Sequence, residues 1–493
     1  MPGPAPLLPL ARGPVLGAAA AVAVVLTATS AGYGYHRDEL YFRMLEPAWG
    51  YVDQPPLVPL LADLTTLVAD EPWALRIPAT LATAAMVLVL ALVSREVGGG
   101  RAAQALCAWG AAFGAMPLVM GHVLLTATLD GLSWTAALLF VVRAQLRRRP
   151  AWWLAAGAVV GLSSYVKLLV VVLVVAVAVG VALVGPRRLL VSRWVLGAGA
   201  LALLLAAPNA AYQALNGWPQ LDVGAALAEE NAAEVRVQMW WFLAVLVGPP
   251  LVPVWVAGAV ALLRRPAWRP VRFLAAALPV LLVLVFAMGS QPYYPFGLVA
   301  VLFALGCVPV VAWARRGAAG RRAVLVGAVA LNAVVSAVIA LPLLPASVVG
   351  DTPVPDINQV ARDSLGWPQH VEQVAAVVAA LTPAERARAV VVASNYGEAG
   401  ALDRYGPEHD LPPVVSGHNA LGARPAPPAS VDVAVVVGGQ VERARGLFAS
   451  CQDAGRLDNG LGVDTEEQGQ PIAVCRGPVG GWATVWPALR HLS

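Results

Sequence analysis

The sequence predicts a polytopic α-helical membrane protein of about eleven transmembrane helices, followed by a small extracytoplasmic α/β domain. Three observations lead there. Of 493 residues, 59% are hydrophobic and only 13% are charged, where an ordinary soluble domain carries roughly a quarter charged residues. A water-soluble fold of that composition would expose far too much apolar surface. Apolar runs of about 20 residues, each long enough to cross ~30 Å of hydrocarbon, recur up to position 345 and then stop. Finally, the arginines fall in alternate loops.

In chain order the apolar stretches lie near 13–32, 79–94, 102–120, 123–142, 151–166, 168–185, 194–212, 239–263, 273–288, 296–314 and 323–345. Charge or Pro/Gly punctuation bounds each of them. The 151–185 stretch divides into two short spans hinged at Gly161-Leu162-Ser163-Ser164. Arg95 and Arg101 share one loop, Arg143 and Arg147 to Arg149 another, and Arg187, Arg188 and Arg193 a third. Arg264, Arg265, Arg269 and Arg272, then Arg315, Arg316, Arg321 and Arg322, continue the alternation. The positive-inside rule places those loops and the N-terminus in the cytoplasm, with the C-terminal domain outside. Use of arginine at every basic position but Lys167 reads as high-GC bacterial composition, so the expected membrane is a bacterial plasma membrane. Cleavage of the first span as a signal peptide near Ser30 is the alternative; a retained span keeps the odd crossing number the arginines require.

The division expected is a membrane domain over 1–345, with a first outer loop at 33–78, and a soluble α/β domain over 346–493. A second outer segment, 213–238, reads as helical and peripheral. In the tail, Asp, Glu, His and Asn return, and the valine-rich runs Ala389–Ala393 and 431–437 read as buried strands. Segments 370–381 and 441–450 read as helices between them. Cys451 and Cys475 lie in this oxidising compartment and can close a disulfide loop of about 25 residues, worth ~3 kcal/mol, or remain two thiols. The net charge of +4 is small and its arginines are dispersed among loops, so membrane lipids and not nucleic acid are the expected partner.

Chemistry-bearing residues gather in the first outer loop. After the first span comes Tyr33-Gly34-Tyr35-His36-Arg37-Asp38-Glu39-Leu40-Tyr41-Phe42-Arg43, then Pro47-Ala48-Trp49-Gly50-Tyr51-Val52-Asp53-Gln54-Pro55-Pro56-Leu57. A solvated interfacial loop with an aromatic belt is the plain reading. Its Pro, Gly and aromatic content suits a folded loop better than a flexible linker. An acidic pair held at the bilayer edge can take a proton from a hydroxyl while cations hold a lipid-borne phosphate.

These residues resemble the GT-C superfamily of polyprenyl-phosphate-sugar-dependent glycosyltransferases, specifically bacterial relatives of protein O-mannosyltransferases and lipid A aminoarabinose transferases. The resemblance rests on Arg37-Asp38-Glu39-Leu40-Tyr41 followed by Gly50-Tyr51-Val52-Asp53-Gln54-Pro55-Pro56-Leu57. It extends through Leu75-Arg76-Ile77-Pro78, Asp130-Gly131-Leu132-Ser133-Trp134, the stretch from Gly161 to Lys167, and Gln291-Pro292-Tyr293-Tyr294-Pro295. In the tail, Asn395-Tyr396-Gly397-Glu398-Ala399-Gly400 and Ser416-Gly417-His418-Asn419 resemble actinobacterial members.

The resemblance implies a GT-C fold and transfer of a sugar, with inversion, from a polyprenyl phosphate to an extracytoplasmic protein, lipid or glycan. It makes Asp38 the catalytic base, with Glu39 as its neighbour or understudy. Asp130 is then expected to organise the acceptor or Asp38, and Tyr293 and Tyr294 to line the donor pocket. Arg37, Tyr41, Arg43, Asp53, Gln54, Arg76 and Lys167 complete the expected substrate-binding set. One position departs: several relatives have lysine before the Pro-Pro pair, where this chain has Gln54. Arg37, Arg43, Arg76 or Lys167 must then supply the positive charge, or the donor differs.

Each residue also has a simpler reading. Lys167, the single lysine in the chain, can be a snorkelling side chain; an ionisable group within a membrane segment is otherwise a functional candidate. Asp130 can be a structural hydrogen bonder, and the tyrosine pair part of an interfacial belt. Asn395-Tyr396-Gly397 reads as a tight turn, and His409 and His418 as surface or hydrogen-bonding residues. The histidines form no recognisable metal motif, although His36 and His122 both lie outside and can meet; no cofactor is required, with a divalent metal the minor alternative. A transporter or lipid flippase, which would gather its charges at the midplane, and a non-catalytic scaffold are the competing classes.

Overall fold

The computed structural model describes residues 7–289, 291–317 and 319–492. The chain divides into two compact units. One comprises Met1–Ser30, Gln54–Leu57 and Arg76–Leu341; the other comprises Ala31–Asp53, Val58–Leu75 and Pro342–Ser493. The loop after the first span thus belongs with the tail, a grouping that cuts across a division at 345/346.

The first unit is helical, and its helices establish a multi-pass membrane protein. Among the described residues six are long and apolar enough to cross a bilayer: Arg12–Thr29, Pro72–Glu96, Thr126–Leu146, Arg193–Leu215, Phe296–Arg316 and Ala319–Ala340. Two bent pairs, Arg101–Ala112 with Ala115–His122 and Pro219–Val245 with Pro249–Arg264, raise the number to eight. The expected short spans within 151–185 are helices Trp152–Ser163 and Val170–Val184, and 273–288 is Phe273–Met288. At 1.5 Å per residue these three fall short of ~30 Å. The apolar stretches expected to be spans are therefore mainly helical, while among the described residues length and composition support six to eight crossings.

Two expected spans are not single straight helices. The 102–120 stretch bends by 50° at Gly114, and the 239–263 stretch lies in a pair bent by 70° ahead of Pro249. The segment 219–238 also continues as helix into the latter span, because its Ala, Leu and Glu residues are good helix formers. Broken helices leave carbonyls unpaired where no water can reach them. Asn332, 1% exposed, answers both breaks, donating to Phe113 O at 3.2 Å and Val247 O at 3.0 Å. Gly248 makes the second bend possible, with φ +104° and no room for a Cβ against the Asn332 amide. At the hinge after Ser163, Asn209 donates to Ser164 O at 2.7 Å.

In the second unit the tail carries a five-stranded mixed sheet in the order β2-β1-β3-β5-β4. Its strands are β1 (Ala389–Ala393), β2 (Val414–Ser416), β3 (Val433–Val437), β4 (Phe448–Arg456) and β5 (Pro471–Pro478). β1 runs parallel to β2 and β3, and β5 runs antiparallel to β3 and β4. β1 and β3 are fully buried, the pattern of strands covered on both faces. Val390, Val392, Val436, Phe448, Trp482 and Trp486 share one core. The helix expected over 441–450 ends at Arg445, and Phe448 opens β4 instead. There Cys451 pairs directly with Cys475 of β5, and the two form a disulfide.

The first-loop helix Arg37–Met44 lies against the tail helix Tyr396–Tyr405. Two glycines on the tail helix permit the approach. A Cβ at Gly400 would stand 2.6 Å from the backbone carbon of Leu40, and one at Gly397 would stand 3.0 Å from Arg37 Cβ. Gly400→Ala is therefore expected to destabilise this packing by about 1–3 kcal/mol, measured as a lower thermal midpoint of the purified chain.

Candidate active site

The loop helix is capped by its own first turn. The His36 Nδ1 atom accepts the Asp38 N–H at 3.1 Å, and Glu39 Oε2 accepts the His36 N–H at 2.9 Å, a reciprocal capping box. Glu39 is wholly buried, so its carboxylate serves the helix start. Asp38, one residue earlier, turns its carboxylate elsewhere.

Oδ1 of Asp38 accepts a hydrogen bond from the hydroxyl of Tyr396 at 3.0 Å. Among the described residues, Oδ2 of Asp38 makes no hydrogen bond. Tyr396 is the first residue of the tail helix, whose start is built by the capping pair Asn395 and Glu398. Its N–H donates to His418 Nδ1 at 3.0 Å. Its ring stacks on Tyr41 at 4.6 Å and on His418 at 4.9 Å, and His418 stacks on His491 at 4.6 Å. The Arg37 guanidinium lies 4.8 Å from the Tyr396 ring centre, a cation–π contact, and pairs with Glu466. Burial pushes the Tyr396 phenol well above its ordinary range; Arg37 opposes this and the Asp38 charge reinforces it. The hydroxyl stays protonated and able to donate.

Tyr41 donates to Asp53 Oδ1 at 3.0 Å and accepts the Ala420 N–H at 3.2 Å. Burial pushes the Asp53 carboxyl up to about 7 against the pull of the Tyr41 hydrogen bond, and the Asp38 charge adds to the rise. Its folded pKa lies above the unfolded value near 3.8, so folding takes up a proton between the two. The stabilisation is complete below about pH 4 and is lost as pH rises through 7. Asp53→Asn should therefore flatten the decline of thermal midpoint between about pH 4 and 7; buried Glu398 and Glu467, shifted upward too, retain part of the slope.

Arg43 is committed to acidic neighbours, bonding both oxygens of Asp70 and lying 3.7 Å from Asp403. In the membrane unit, Arg76 is 1% exposed and donates to the Ser30 carbonyl. Gln54 is also buried there, with no hydrogen-bond partner for Nε2 among the described residues. His122 Nε2 bonds the Thr29 carbonyl at 3.0 Å.

Lys167 has a different setting. It follows the break after helix Trp152–Ser163, 3.4 Å from the Tyr293 hydroxyl and 4.7 Å from the Tyr294 ring centre. Among the described residues no carboxylate lies within ion-pair distance of its ammonium. Asp130, Trp134, Leu169, Tyr293, Tyr294 and Phe296 line one small cavity in this unit. Asp130 Oδ1 is buried and has no hydrogen-bond partner among the described residues. The expected site residues thus fall into two groups, each inside its own unit: Arg37 to Arg43 with Asp53, and Lys167 with Asp130, Tyr293 and Tyr294. Among the described residues no group of three or more His, Cys, Asp and Glu is placed to hold a metal ion.

Tyr396 and His418 were not among the expected site residues. Asn395-Tyr396-Gly397 is a helix start and not a free turn, and His418 is 1% exposed. Asn395 followed three residues later by Glu398 is a capping-box spacing, the sequence signal that would have shown the helix.

The helices of the first unit define a multi-pass membrane protein, and the second unit is built jointly from the first loop and the tail. Its fold is similar to those of solved membrane glycosyltransferases, and part of the chain matches one family. Residues 53–212 match the family described as dolichyl-phosphate-mannose-protein mannosyltransferase. The structure is similar to ArnT from Cupriavidus metallidurans in the apo state, with TM-score 0.59 and 15% identity over 92% of this chain and 96% of ArnT. ArnT bound to undecaprenyl phosphate gives TM-score 0.56 and 16% identity over 92% and 97% of the two chains. The mycobacterial arabinofuranosyltransferase AftD gives TM-score 0.51 and 15% identity over 94% of this chain but 40% of AftD. No curated protein matches the chain in sequence.

Proposed function

We propose that this chain is a membrane glycosyltransferase that moves a sugar from a polyprenyl phosphate to a hydroxyl outside the cytoplasm, with Asp38 as base. The observation that carries the reading is the Asp38 carboxylate, anchored through one oxygen and open at the other, at the start of the first-loop helix in a GT-C fold. The mannosyltransferase family match over 53–212 and the ArnT complex with undecaprenyl phosphate support a lipid-phosphate donor.

In the proposed step the acceptor O–H gives its proton to Asp38 while its oxygen attacks the anomeric carbon. The bond from that carbon to the phosphate oxygen breaks, and its electron pair leaves on polyprenyl phosphate. Attack opposite the leaving group inverts the configuration. Phosphate is a good leaving group, so the protein's work is to position the acceptor and balance charge. We assign the phosphate to Lys167, because Arg43 and Arg37 are paired with carboxylates and Arg76 with a carbonyl. Asp130, with its unpartnered oxygen, is assigned to a substrate hydroxyl. No cofactor is invoked. The proposed setting is a bacterial plasma membrane, N-terminus cytoplasmic and tail outside.

The test is transfer of labelled sugar from membrane polyprenyl phosphates to products, comparing the wild type with Asp38→Asn at matched expression. Loss of transfer with the protein still inserted supports the base. Unchanged transfer removes it and advances the transporter or scaffold reading.

A further inference from the structure

We infer that Tyr396, supplied by the tail more than three hundred residues after the loop, is a positioning residue that fixes the Asp38 carboxylate for proton transfer. The inference rests on the reading of Asp38 as base and adds the tail to the machinery.

Everything around Tyr396 except its hydroxyl serves to hold the ring still. Its backbone N–H is held by His418 Nδ1 at 3.0 Å. Its ring is stacked on Tyr41 and His418, with the Arg37 guanidinium also over it. Gly397, the next residue, has no Cβ that would push the loop helix away. The hydroxyl at the end of this clamp reaches Asp38 Oδ1 at 3.0 Å, across a sequence separation of 358 residues.

A carboxylate in the first turn of a helix, without such a partner, rotates about two side-chain bonds. A base must hold one oxygen aimed at the proton it removes, and misplacement by ~1 Å can cost about 100-fold in rate. A hydrogen bond from a fixed donor to Oδ1 restricts that rotation and leaves Oδ2 for the acceptor. The donor makes no reaction step itself. It also keeps its proton, because burial and the Asp38 charge both oppose ionisation of the phenol.

Tyr396→Phe removes the hydroxyl and keeps the stacked ring. With membranes carrying endogenous polyprenyl-phosphate sugars labelled from radioactive nucleotide sugars, the variant is expected to lower kcat by about 10- to 100-fold. KM for the lipid donor should stay within about 2-fold of wild type, as for an interaction that matters in the transition state. The thermal midpoint should hold, whereas Tyr396→Ala should lower it through loss of the stack. Wild-type turnover in Tyr396→Phe, or a raised KM at unchanged kcat, overturns the inference. Asp38→Asn in the same assay separates the failures: if it is inactive while Tyr396→Phe is normal, only the positioning role falls; if it is active, the base falls with it.

A second measurement needs no turnover. Carbodiimide labelling of Asp38 in the purified full chain, read by peptide mass spectrometry, should rise about 3-fold or more in Tyr396→Phe, because the freed oxygen is more nucleophilic. Equal labelling in the two proteins overturns the inference.

Discussion

Asp38→Asn is expected to lower sugar transfer by about 10²–10⁴-fold, the range contributed by a positioned general base. The substitution is close to isosteric. The amide oxygen of Asn can still accept the Tyr396 hydroxyl, and the first-turn N–H still reaches His36 Nδ1, so the loop helix and the tail contact should survive. What is lost is the capacity to take a proton. The expected signature is therefore a fall in kcat with insertion, expression and thermal midpoint unchanged, and donor KM near wild type. A parallel fall in thermal midpoint would instead mean that the carboxylate charge balances Arg37 structurally.

Lys167→Met is expected to raise the KM for the lipid-phosphate donor by about 10- to 100-fold, the usual scale for removing a cation from a charge-assisted contact. Methionine retains much of the aliphatic stem and fits the apolar surroundings. Lys167→Arg should recover part of the loss, since it restores the charge with different geometry. The measurement is initial transfer rate against donor concentration, with binding of undecaprenyl phosphate alone as a check independent of chemistry. Unchanged donor affinity in Lys167→Met would leave the lysine as a partner of the Tyr293 and Tyr294 rings only.

The membrane architecture was legible because an apolar run of bilayer length admits few structures other than a helix. The runs at 79–94 and 296–314, for example, fall inside Pro72–Glu96 and Phe296–Arg316. Bends were harder to read: Gly114 and Gly248 look like any other glycine, and the Asn332 side chain that serves both breaks lies far away in sequence. The valine runs declared β1 and β3 through continuous burial, whereas β4 carries mostly exposed side chains and was read partly as helix. In the site, the local pattern of the first loop exposed Asp38, Tyr41 and Asp53. The Asp38 partner was invisible because a contact over 358 residues leaves no periodicity or spacing to detect.

That separation also sets an order of events during synthesis. At roughly 5–20 residues per second, a ribosome delivers Tyr396 on the order of half a minute after Asp38. Throughout that interval the loop helix has no tail helix to lie against, and its face around Leu40 stays uncovered. A chain interrupted before the sheet would lack the Tyr396 hydroxyl beside Asp38, so on the proposed reading transfer begins only after the tail has folded.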